Sequence, residues 1–230
     1  MPDNSPHILG SFQRALDQLT ADLDRMAGLV AGNLDSAVRG LLERNTDLCS
    51  HVIADDEEID RLQMKIDEDG LKIITLFQPV ASDLRRVVSA MKVAGNLERV
   101  ADQAVGIAKR ARKINRNPEM QEIRLVEPLY EMAATLLRRS MIAYSDGDVA
   151  IALDVREQDS KLDKAYKATG KQLIQRMEED VTRIKDYLDL QFVIRFLERI
   201  GDHAKNICED AVFVEAAVDI RHGGAPQAQP

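Results

Sequence analysis

Apolar residues recur every three or four positions through almost the whole chain, and this spacing narrows the choice of fold more than any other feature. Phe12, Leu16, Leu19, Leu23, Met26, Val30, Ala37 and Leu41 form one such stripe. That is the period of a helix with one buried face. "RNTD" at 44–47 supplies capping residues for a second helix, expected over 47–77 and ended by Pro79, since proline disfavours helix in the residue before it. Ser82 and Asp83 are expected to open a third helix, which closes on the basic run "KRARKINR" at 109–116. Cations suit that end of a helix dipole. "NRNP" at 115–118 is a stop signal and marks a domain boundary.

The second half starts again. Val126, Leu129, Ala133, Leu136, Ser140 and Tyr144 continue a helical stripe, and "SDGD" at 145–148 reads as a turn. A fifth helix is expected over 148–177, a break within 178–182, and a sixth helix ending near Ile220. No stretch alternates with period two. Aromatics are only 4% of a chain that is 45% apolar, a composition closer to a helix bundle than to a sandwich or barrel. Helices of about 30 residues are about 45 Å long and, with short loops, pack antiparallel. The expected fold is all-α: two tandem three-helix bundles over 1–117 and 118–222, with a disordered tail over 223–230.

The two halves repeat. "LERVADQA" (97–104) and "LERIGDHA" (197–204) agree at five of eight positions. Each places two acids four residues apart on a helix, Glu98 with Asp102 and Glu198 with Asp202. Earlier in each half a second acidic pair occurs, Asp56 with Asp60 and Asp159 with Asp163. With a turn near Gln78, Asp60 lies 18 residues before it and Glu98 lies 20 after it. With a turn near Glu179, Asp163 lies 16 before and Glu198 lies 19 after. The four acids of each half can therefore meet at one level of a hairpin.

Like charges at that helical spacing repel by roughly 0.2–0.5 kcal/mol, and most such pairs are simply solvated. Three features set these apart. Local cations are scarce: Arg99 favours Asp102 alone, and Asp56 and Asp60 have none. Glu98 and Glu198 follow Leu97 and Leu197, at the edge of the apolar stripe. Gly201, with Ala101 in the equivalent place, leaves room for a helix or ligand to come close.

Converging carboxylates raise each other's pKa, and a bound cation relieves that. An all-oxygen site suits Mg²⁺, Mn²⁺, Ca²⁺ or iron. The expected cofactor is a divalent or trivalent metal ion, Fe, Mn, Mg or Zn, held by Asp56, Asp60, Glu98 and Asp102 and by Asp159, Asp163, Glu198 and Asp202. The ferritin-type Glu-x-x-His motif is absent, because Ala101 and Gly201 stand where it needs histidine. His203 and Asn206 are available in the second half only, Gln103 and Gly106 taking their places in the first.

The acidic pairs, "QPVASDLRRV" from Gln78 and the run from Leu197 to Ile207 together resemble the PhoU family of phosphate-signalling proteins. The second motif fits "LERIGDHAxNI" almost letter for letter. The resemblance spans nearly the whole chain, with two departures: Gly106, where the family often has Asn, and no proline near Glu179. It implies a cytoplasmic negative regulator of phosphate-starvation signalling and phosphate uptake. Such a protein acts with a membrane histidine kinase and the ATPase subunit of a phosphate ABC transporter. The eight acids above fall on the family's metal-binding positions. A homodimer and peripheral membrane contact are also expected.

The remaining features are expected to play lesser roles. The net charge of −8 argues against a nucleic-acid partner. No signal peptide or membrane span is legible. Cys49 and Cys208 read as free thiols filling the core, and His7 and His51 as surface residues. "KRARKINR" reads as helix-end charge and solvated linker, with docking on a partner or anionic lipid a lesser reading. Arg85 and Arg86 read as surface residues, with a place on a partner face a lesser reading. No P-loop, nucleophile elbow or zinc spacing is present. The expected protein is therefore not an enzyme. The rival readings are a carboxylate-metal phosphohydrolase and a purely structural scaffold.

Overall fold

The computed structural model describes residues 5–221, with side chains from Gly10 onward. The expected tail over 223–230 and the side chain of His7 lie outside what is described. Six α-helices follow one another: α1 (Ser5–Leu42), α2 (Thr46–Phe77), α3 (Ala81–Ile114), α4 (Glu127–Asp146), α5 (Val149–Glu179) and α6 (Ile184–Ala216). Among the described residues there is no strand. The apolar stripe of α1 is its buried face, with Leu19, Leu23, Met26, Val30, Leu34, Ala37 and Leu41 almost wholly shielded.

The helix ends follow from local chemistry. Asn45 caps α2, its side-chain oxygen accepting from the amides of Asp47 (3.1 Å) and Leu48 (3.2 Å). Gln78 turns left-handed at φ 49° and its amide still reaches the Ile74 carbonyl, after which Pro79 prevents continuation. Ser82 and Asp83 lie in the first turn of α3, as expected for the residues that open it, while the cap position is Val80, without a side-chain bond. Gly147 ends α4 at φ 66°, and Asp148 caps α5 through the Ile151 amide. The break expected within 178–182 is real and is made by Asp180, whose carboxylate accepts from Thr182 before a short 3-10 helix, Val181–Arg183. α6 ends four residues short of Ile220, at Ala216. A second 3-10 helix, Gln121–Val126, precedes α4 and was not foreseen.

Helices α1–α3 pack on one another, as do α4–α6, and the two sets join mainly through α3 and α6. Those two run antiparallel. Arg85 bonds the Val214 carbonyl (3.3 Å), Lys92 pairs with Asp210 (3.5 Å), Asn96 meets His203 (3.1 Å) and Arg110 pairs with Asp189 (2.6 Å). Numbers rise on one helix as they fall on the other. The level of Val100 therefore faces that of Ile200, and the two repeated motifs cross at the middle of the seam. The apolar core is one continuous cluster drawing on all six helices.

The segment 115–120 is tied to both sides rather than being a loose linker. The Asn115 side chain donates to the Gly40 carbonyl (2.9 Å), and Arg44 donates to the carbonyls of Asn115 and Asn117. Asn117 donates to Asp186 (2.6 Å), and Arg183 to the Glu119 carbonyl (3.0 Å). Arg85 is likewise committed to α6, which corrects its reading as a plain surface residue. No helix among the described residues is long and apolar enough to cross a membrane.

Candidate metal centres

The α2–α3 hairpin gathers Asp56, Asp60, Glu98 and Asp102. Burial raises the pKa of the Asp56 carboxyl, and the charges of Asp60 and Asp102 raise it further. Glu98 is raised first by burial, then by Asp102, Asp60 and Asp56. Asp56 and Glu98 are therefore each within electrostatic reach of the other three. The α5–α6 hairpin does the same. Glu198 is raised by burial, then by Asp202, Asp163 and Asp159. Asp159, buried at 6% exposure, is raised by burial and by Asp202 and Asp163, with Lys205 opposing.

The cations are less scarce than the spacing predicted. Arg99 pairs with both Glu98 (3.2 Å) and Asp102 (3.1 Å). Lys205 approaches Asp159 (3.7 Å), and it was legible as the i+3 neighbour of Asp202. Asp56 and Asp60 have no ion pair among the described residues, although the charge of Lys109 reaches Asp56.

Gly201 explains why the second cluster is the drier. A Cβ there would fall 2.6 Å from Leu162 Cδ2 and 2.9 Å from Asp159 Oδ1. The missing side chain thus lets α5 approach and lets the Asp159 carboxylate lie against α6. What comes close at Gly201 is a helix bearing one of the acids.

His203 and Asn206 do not turn into this cluster. His203 Nδ1 lies 3.1 Å from Asn96 Oδ1, and Asn206 donates to the same oxygen at 3.3 Å. Both are spent on the seam with α3. Asn96 was missed from the sequence, since nothing local marks a residue whose partners lie a hundred positions away. His203 is reached by the charges of Asp202 and Asp102 alike, so the two clusters flank one seam.

The donor chemistry fits a hard cation: carboxylates alone, half of them pushed toward neutrality by burial and mutual repulsion. As placed, no three carboxylate, imidazole or thiol groups among the described residues are gathered closely enough to hold a metal ion. Elsewhere, burial pushes the Cys49 thiol up to about 11 and the Cys208 thiol up to about 12. Both thiols are free and buried and neither is a nucleophile at neutral pH.

The family model described as "PhoU domain" matches twice, over residues 23–111 and 126–211. The chain belongs to the PhoU family. The two matches bracket the two acidic clusters, one in each. A "Phosphate-specific transport system accessory protein PhoU homolog" of Xylella fastidiosa is 33% identical over 208 residues, covering 90% of this chain and 88% of its own. A relative of the same description from Zymomonas mobilis is 36% identical over 207 residues, covering 90% and 87%. The crystal structure of PhoU from Pseudomonas aeruginosa superposes with a TM-score of 0.87 at 31% identity, over 90% of this chain and all of that one. The phosphate transport system regulatory protein PhoU from Streptococcus pneumoniae superposes with a TM-score of 0.83 at 25% identity, covering 90% and 98%. The all-α PhoU architecture is thus shared along nearly the whole length.

Proposed function

We propose that this PhoU-family chain is a non-enzymatic cytoplasmic regulator that represses the phosphate-starvation response and phosphate uptake. It acts as an adaptor between a membrane histidine kinase and the ATPase subunit of a phosphate ABC transporter. The observation that carries this reading is family membership over both halves, joined to the repeated carboxylate clusters. Relatives of similar length are described as accessory or regulatory proteins of phosphate transport.

In this reading Asp56, Asp60, Glu98 and Asp102 hold one metal site, and Asp159, Asp163, Glu198 and Asp202 the other. A bound cation would supply the positive charge that Arg99 and Lys205 provide only in part. By sharing one cation, the acids of each hairpin would fasten α2 to α3 and α5 to α6 at the level where the seam crosses. The sites thereby set the shape of the surface that a partner meets. Two copies of the chain would present that surface twice.

Complementation tests the reading. In a strain lacking its own family member, a starvation-responsive reporter should stay on in high phosphate. This chain should restore repression, and the Glu98→Gln/Glu198→Gln variant, expressed at equal level, should restore less. Failure of the parent chain to repress would refute the regulatory reading. Metal-dependent phosphatase turnover that vanishes with Glu198→Gln would favour the enzyme.

A further inference from the structure

The C-terminal end of α3, Arg116 just beyond it and Phe196 of α6 line an open-sided hollow of about 500 Å³. Its charged lining is Lys109, Arg110, Arg112, Lys113 and Arg116, with no acid among the lining residues. Arg110 is fixed by Asp189 at 2.6 Å and lies 4.1 Å over the Phe192 ring. The other four form no ion pair among the described residues, in a chain whose net charge is −8. One wall is the Phe196 ring, which lies against α3 because position 106 is glycine. A Cβ at Gly106 would fall 2.8 Å from that ring.

Helix-end charge does not account for this cluster, because the chain contains its own control. At the repeat offset of one hundred, Lys109, Arg110, Arg112, Lys113 and Arg116 correspond to Glu209, Asp210, Val212, Phe213 and Ala216. α6 ends with no basic residue in its last turn. The same scaffold is therefore built without these cations, and they belong to one half only.

We infer that this hollow is an anion site for a small molecule carrying linked phosphate groups, distinct from the two acidic clusters. Lysine and arginine make charge-assisted bonds to phosphate oxygens, and four unpaired cations call for more than one such group. The volume lies in the range of small-molecule pockets. An anionic bilayer fits less well, since the acidic clusters flank the same α3–α6 seam and would be driven from it. The ligand is an inorganic polyphosphate or the phosphate chain of a nucleotide. The site does not depend on the regulatory reading above.

Calorimetric titration of the full chain, stripped of metal, tests this with four probes: inorganic tripolyphosphate, ADP, orthophosphate, and vesicles of anionic phosphatidylglycerol. Tripolyphosphate or ADP should bind one per chain, weakening as salt rises, and orthophosphate should bind roughly tenfold more weakly or worse, having fewer charges to pair. Whichever of the first two binds tighter identifies the source. Lys113→Gln/Arg116→Gln, two exposed positions, should lose roughly tenfold in affinity with the loss of two charge-assisted contacts, with an unchanged melting temperature. The charge-matched control Lys167→Gln/Lys171→Gln, on the exposed side of α5, should bind as the parent does. Absence of saturable binding, equal loss in both variants, no loss in the first, or binding to vesicles alone would overturn the assignment.

Discussion

At the residue scale, the fold holds several carboxylates against their preference for water and for distance from one another. Asp56 and Glu98 have folded pKa values above their ordinary 3.8 and 4.5. Protonation therefore favours the folded form. Their contribution is full below those ordinary values and is lost as pH rises through the raised ones. In metal-free protein, Asp56→Asn/Glu98→Gln should match the parent in melting temperature at pH 3.5 and exceed it increasingly toward pH 7. A difference independent of pH, or a variant less stable at pH 7, would contradict this. Gly201→Ala sets two effects against each other. Helix propensity gains about 1 kcal/mol, while overpacking costs about 1–3 kcal/mol, the neighbours being the buried Leu162 and Asp159. We expect a net loss of about 1 kcal/mol, read as a lower urea midpoint at constant slope; a rise would show that Leu162 yields freely. The convergence of the acids was legible, because counting residues from a hairpin turn fixes level. Their ion pairs were only half legible. Arg99 reaches Glu98 as well as Asp102, which depends on rotamer and not on spacing.

At the element scale the sequence announces helices more clearly than it announces their ends. Asn45 works as a cap because its short side chain reaches two orphan amides, so Asn45→Ala should cost about 1 kcal/mol in chemical denaturation, and a neutral result would mean that water replaces it. Ser82 and Asp83 mark the start of α3 to within one residue, yet neither is its cap. Pro79 fixes the chain direction there, and Ala81 already takes φ 48° to enter the helix. The 3-10 helix Gln121–Val126 escaped notice because its apolar residues, Ile123 and Val126, also fit the α-helical stripe that follows. Gly106 looked like a departure from the family pattern, and its reason is the Phe196 ring on the neighbouring helix, which no local pattern encodes.

At the scale of the whole molecule, a repeat of three helices was readable, but the way its copies join was not. The seam depends on contacts such as Asn96–His203 and Arg110–Asp189, whose partners are far apart in sequence. Because α3 and α6 share one core, the metal-free protein should melt in a single transition with equal calorimetric and van't Hoff enthalpies; two resolved transitions would mean that the halves unfold independently. The central claim is that the repeated acids are metal sites that stabilise this assembly. A cation that binds only the folded form adds about 2.7 kcal/mol at a hundredfold excess over Kd, which for a chain of this size is roughly 5–10 °C in melting temperature. The direct measurement is a set of thermal melts of the parent and of Glu98→Gln/Glu198→Gln, each stripped of metal and then titrated with Mn²⁺, Mg²⁺ or Fe²⁺. The parent should rise with metal concentration and the variant should lose most of that rise. A parent indifferent to all three ions, or a variant that keeps the full response, would mean that these eight acids are not metal sites.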